Sequence, residues 1–172
     1  MKQQLIECVP NFSEGRDLAI IKQITNEIES VDGVKLLDVD PGAATNRTVV
    51  TFVGTPEAVI EAAYKAIVKA GEIIDMSKHK GEHARMGATD VCPLIPVANI
   101  SMEETSQWAV KLAKKVGETT HIPTYLYGAS QEDTKRNVLS IIRAGEYEGF
   151  FEKIKDPNGS LTLDHLFTAL EV

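Results

Sequence analysis

Between Asp75 and Asp90 the chain concentrates groups that move protons and hold charge: His79 and His83, the cations Lys78, Lys80 and Arg85, the carboxylates Asp75, Glu82 and Asp90, and the glycines Gly81 and Gly87. Histidine exchanges a proton near neutral pH, and neighbouring carboxylates or cations tune it in either direction. His83 has both kinds of neighbour, Glu82 and Arg85. Lys78, Lys80 and Arg85 suit the binding of substrate carboxylates, Arg through a two-point fork and Lys as a point charge. A second chemistry is metal binding, because His79 to His83 spells H-x-x-E-H, the inverted zinc-protease pattern. That pattern requires a helix, and Gly81 inside it and Gly87 after it oppose one. A third reading is a glycine-containing charged loop that only keeps the surface solvated.

These residues need a frame. Upstream, Thr55 caps a helix entered through Pro56, with an apolar stripe at Val59, Ala63, Ala66, Ile67, Ala70, Ile73 and Ile74. Downstream, residues 91 to 97 read as a strand that Pro93 and Pro96 confine to an edge or to irregular pairing. Toward the N-terminus, residues 5 to 9 form a strand ended by the turn formers of 10 to 15. A helix over 17 to 30 carries Leu18, Ile21, Ile24 and Ile28 on one face, and strands over 34 to 40 and 47 to 53 make a hairpin. Asp40 and Arg47 flank its turn, facing a cleft or forming an ordinary hairpin ion pair. Ser101 and Glu104 form a capping box for a helix through Val116. Residues 122 to 127 read as a fifth strand, 130 to 143 as a shorter helix, and 145 to 157 as a charged connector.

This order predicts an α+β fold: a ferredoxin-like sandwich, βαββαβ with an added helix and strand, its antiparallel or mixed sheet covered by helices on one face. The other face needs a partner. The 172 residues, 43% of them hydrophobic, can bury a core, and a net charge of −7 argues against nucleic acid or an anionic membrane surface. With no spanning-length apolar run and no secretion pattern, the chain reads as cytoplasmic. Cys8 and Cys92 sit in apolar runs and read as reduced core thiols.

Several ordered motifs add a family resemblance. Residues 7 to 15 (ECVPNFSEG), 37 to 40 with 45 to 48 (LDVD, TNRT), 51 to 54 (TFVG), 79 to 88 (HKGEHARMGA) with 90 to 93 (DVCP), 125 to 128 (YLYG) and 142 to 148 (IRAGEYE) resemble glutamate formimidoyltransferase. The likeness is to the N-terminal subdomain of its transferase domain, including that of the formimidoyltransferase-cyclodeaminases. It implies transfer of a formimino group from N-formimino-L-glutamate to N5 of tetrahydrofolate in histidine degradation, with tetrahydrofolate as co-substrate and no metal. On that pattern His83 is the catalytic base. Asp40, Glu82 and Asp90 are possible partners for the cationic formimino group; Arg47, Lys80 and Arg85 are possible anchors for substrate carboxylates; Gly87 belongs to the same binding loop. The family's second subdomain forms the other wall of the folate site, so association with such a subdomain, or a homodimer, is expected. Residues 1 to 157 carry the resemblance. Residues 158 to 172 diverge, with Leu163, Leu166, Phe167 and Leu170 at helical spacing.

Overall fold

A computed structural model describes residues 2 to 131 and 138 to 153. Its elements are β1 (Leu5–Cys8), β2 (Asn11–Phe12), α1 (Leu18–Glu29), β3 (Val34–Gly42), β4 (Arg47–Gly54), α2 (Pro56–Ile73), β5 (Thr89–Val91), β6 (Leu94–Ala98), α3 (Met102–Thr120), α4 (Leu139–Ile142) and α5 (Glu146–Lys153). The expected tail of 158 to 172 lies outside the described residues.

β1 and β2 form one ribbon interrupted at Val9 and Pro10, which pairs with β4 on one side and with β6 and β5 on the other. With β3 against the far side of β4, the sheet runs β3, β4, β1 with β2, then β6 with β5, and these strands pair antiparallel. The helices start where their caps dictate. Asp17 Oδ1 accepts from the amides of Ala19 and Ile20, Thr55 Oγ1 accepts from that of Ala58, and Ser101 and Glu104 bond each other's backbone amides. Ile24 and Ile28 of α1, Val59, Ala66 and Ile67 of α2 and Leu112 and Val116 of α3 share one core with Ile6, Cys8, Phe12, Val50 and Phe52 of the sheet. Lys35, Val53, Glu7 and Ile95 lie opposite one another on the other face, by register. There Ile95 is 39% and Val97 54% exposed.

Six expectations change. Strand pairing resumes beyond Pro10, because Asn11 and Phe12 find partners in both β4 and β5 and the Pro10 carbonyl still accepts from Val50. The strand expected over 91 to 97 is two, since Cys92 and Pro93 break it; both pieces lie at the ends of the sheet's pairing path, the end position of β6 suiting its Pro96. Leu18 heads α1 but is 67% exposed, so the buried stripe begins at Ile21. Residues 122 to 127 hold only an isolated bridge at Thr124; Pro123 lacks an amide donor, and Tyr125 turns into a second apolar cluster with Met86 and Ile142. The helix expected over 130 to 143 is, among described residues, a 3-10 turn at Gly128–Ser130 and the four-residue α4, with Ser130 bonding back to Tyr127 in place of capping. Nor is 145 to 157 merely a connector, since α5 occupies its first half with Glu146 and Glu148 in the favoured first turn.

Candidate active site

The charged stretch is a loop from Ile74 to Ala88 seated against the β3–β4 turn. Asn46 organises the seam with a left-handed backbone (φ 53°). Its side-chain nitrogen donates to the Lys80 carbonyl, its side-chain oxygen accepts from the Gly15 amide, and its own carbonyl lies 2.8 Å from His79 Nε2. Glu82 donates its amide to Ala44 at 3.3 Å. Gly81 approaches so closely that a Cβ there would sit 2.0 Å from the Thr45 carbonyl oxygen, so only glycine fits. At the far end of the loop, Ser13 bonds the Gly87 carbonyl at 2.6 Å, and Met86 is buried with Tyr125 and Ile142.

Beneath the loop lies a buried ion cluster. Arg47 (5% exposed) donates through Nη1 to Asp90 Oδ2 at 2.5 Å and through Nη2 to the Ala84 carbonyl, while Arg143 donates to the same Asp90 oxygen at 2.6 Å. Two guanidiniums thus share one carboxylate. Above it opens a cleft of about 550 Å³, walled by His79, Lys80, Glu82, His83 and Arg85 from the loop and by Glu146 and Glu148 from α5. His83 is exposed, with Nδ1 3.3 Å from the Ala84 carbonyl. Arg85 bonds the His79 carbonyl at 2.9 Å, pairs with Glu148, lies 6.0 Å from the Tyr147 ring centroid, and donates its backbone amide to Glu146 at 3.3 Å. At the loop's entry, hydrogen bonds from Lys78 and Ser77 hold Asp75 down at a pKa of about 2, and Asp75 raises Lys78 in return.

The geometry sorts the expected site residues. His83, Lys80 and Glu82 stand exposed in the cleft, and Arg85 reaches it while paired to α5. Arg47 and Asp90 lie below it, bonded to each other, with the Arg47 guanidinium buried and its two terminal nitrogens bonded to Asp90 and to the Ala84 carbonyl. Asp40 is exposed on β3, opposite Val49, and does not line the cleft. Gly87 serves the loop's frame through its carbonyl. His79 and His83 share no helix, His79 being buried against Asn46, and among the described residues no three His, Cys, Asp or Glu side chains converge as a metal would need. Arg143, Glu146 and Glu148 were missed as site residues. The acidic residues that follow Gly145 were a visible signal, but nothing local ties them to Arg85, some sixty positions away.

The described residues thus make a small α+β domain that presents a polar cleft with one exposed histidine. Comparison with known sequences makes this specific: the family model described as "Formiminotransferase domain, N-terminal subdomain" matches residues 5–164, and the chain belongs to that family. It is 53% identical over 154 residues to the formimidoyltransferase-cyclodeaminase of Gallus gallus, covering 90% of this chain and 28% of that protein. It is 46% identical to the glutamate formimidoyltransferase of Thermoplasma acidophilum and 41% identical to that of Streptococcus pyogenes serotype M1, covering 88% of this chain and 51% and 50% of those proteins. The chain thus spans between about a quarter and a half of the length of these relatives. Among the described residues no helix is long and apolar enough to cross a membrane.

Proposed function

We propose that this chain supplies the catalytic wall of a glutamate formimidoyltransferase, which moves the formimino group of N-formimino-L-glutamate to N5 of tetrahydrofolate in histidine degradation, in the cytoplasm. The observation that carries the reading is His83, exposed in a polar cleft whose other walls offer both a cation, Lys80, and carboxylates. The cleft volume falls within the range of small-molecule sites, roughly 300–1,000 Å³. Lys80 has no carboxylate partner among the described residues, which leaves its ammonium for the glutamyl carboxylate that either substrate carries.

In this mechanism Glu82 holds the amidinium of the donor, and Lys80 holds a substrate carboxylate. N5 attacks the formimino carbon, and His83 takes the proton that N5 sheds as the carbon–nitrogen bond forms. The tetrahedral centre collapses with loss of the glutamate nitrogen, to which His83 returns the proton. Holding the two substrates in one orientation supplies much of the acceleration.

The sheet order supports a ferredoxin-like sandwich, since α1 carries the chain from β1 across β4 to β3. The exposed Ile95 and Val97 on its open face support closure by a second transferase subdomain or by a second copy of the chain. The coverage of about half of the shorter relatives favours a second reading, a subdomain that binds folate or glutamate derivatives without turnover until a partner closes the site. Assay of purified protein and of His83→Ala for 5-formimino-tetrahydrofolate separates the two. Turnover lost in a folded mutant upholds the transferase; no turnover in either protein, with tetrahydrofolate binding still measurable by calorimetry, upholds the binding subdomain.

A further inference from the structure

We infer that Arg47, Asp90 and Arg143 form a positioning device that fixes the Ala84–Arg85 peptide and, through it, the tautomer of His83. The inference deepens the reading of His83 as the base and rests on it.

The peptide is held at both ends. Its carbonyl accepts from Arg47 Nη2, and its amide donates to Glu146 Oε2 at 3.3 Å. Arg47 is itself fixed, because Nη1 is bonded to Asp90 at 2.5 Å and Asp90 is held from the other side by Arg143 at 2.6 Å. A carbonyl oxygen has two lone pairs and no proton. The ring nitrogen 3.3 Å from the same oxygen, His83 Nδ1, is therefore the donor of that contact. A neutral imidazole carries one ring proton, so placing it on Nδ1 leaves the lone pair on Nε2, the nitrogen free to face the cleft. His83 is exposed and gains little order from packing, which makes the carbonyl's fixed direction the element that selects the tautomer. The arginine fork is essential: one guanidinium reaches Asp90 and Ala84 at once, which a lysine ammonium on a flexible stem does not reproduce.

The test is the nitrogen-15 spectrum of His83 in the full chain, recorded above the imidazole's titration, beside steady-state kinetics of wild type, Arg47→Lys and Glu146→Ala. The expected wild-type spectrum has Nδ1 protonated and Nε2 bare. In Arg47→Lys the population shifts toward the Nε2-protonated form, and kcat falls on the order of tenfold while KM for both substrates stays within about twofold, because orientation of the base acts in the transition state. Glu146→Ala, at an exposed position, shifts the population the same way by less and keeps the test open if Arg47→Lys does not fold. A wild-type His83 protonated on Nε2, or a folded Arg47→Lys or Glu146→Ala with an unchanged tautomer, overturns the inference. The spectrum needs no turnover. An enzyme that turns over with Nε2 protonated therefore refutes the device alone, whereas a correct tautomer without transferase activity in any assembly refutes the reading of function alone.

Discussion

His79 and His83 stand four residues apart in one loop and are treated in opposite ways. His79 is buried, with Nε2 2.8 Å from the Asn46 carbonyl, and joins the loop to the β3–β4 turn. His83 is exposed, and its one hydrogen bond among the described residues is to the neighbouring carbonyl, which leaves its other ring nitrogen open. The same division runs through the cations: Arg47 is closed off under the loop, and Lys80 stands open above it. Residue type alone does not decide a side chain's part; the underside of this loop uses ionisable side chains as structure, and the upper side leaves them open to solvent.

Mutation sharpens that contrast. His83→Ala is expected to lower transferase turnover by about 10²–10⁴-fold, with a melting temperature close to wild type. His79→Ala should do the reverse, destabilising the protein by about 1–3 kcal/mol through the buried carbonyl left unpaired. If both changes lowered turnover equally with no loss of stability, the division would be wrong. Asp90→Ala leaves the buried Arg47 and the half-buried Arg143 guanidiniums without their shared carboxylate and should cost about 3–5 kcal/mol in denaturant unfolding. An effect near zero would mean that the cluster is hydrated in solution.

Gly81→Ala forces the loop off the hairpin turn. About 1–3 kcal/mol of destabilisation is expected, together with reduced turnover, whereas a substitution at the exposed Lys80 should leave the melting temperature nearly unchanged.

The smallest expected effect is in alkali. Burial pushes the Cys8 thiol well above its ordinary 9.0, and its contact with Cys92, Sγ to Sγ 3.5 Å, adds to the rise. A raised thiol pKa favours the protonated folded state, so this contribution is complete below the unfolded value and is lost as pH rises past about 9 toward the folded value. Chemical denaturation from pH 8 to 10 should show stability falling with pH, and Cys8→Ala should flatten the slope.

Much of the frame was legible because its signals are local. Asp17, Thr55 with Pro56, and Ser101 with Glu104 cap their helices as their types require, and the isoleucines of α1 and the alanines of α2 mark buried stripes by spacing alone. The strand breaks were less legible, because whether a strand survives a proline depends on partners distant in sequence: Pro10 interrupts a ribbon that resumes, while Pro123 prevents one. The site divided along the same line. The loop announced itself by density of charge, but which of its ions are open was decided by pairings 43, 53 and 61 positions apart, Arg47 with Asp90, Asp90 with Arg143 and Arg85 with Glu146. No periodicity encodes such separations.

The grip of α5 on the loop has a consequence for how the molecule is made. A chain emerging from the ribosome has β1 to β6 once Ala98 is out, and α3 can then close the core over them. Arg143 and Glu146 are synthesised some forty-five residues later. Until they arrive, Asp90 lacks its second guanidinium and the amide of Arg85 has no carboxylate to meet. The nascent domain can therefore become compact before this loop is fastened, and the final setting of the loop trails the formation of the fold.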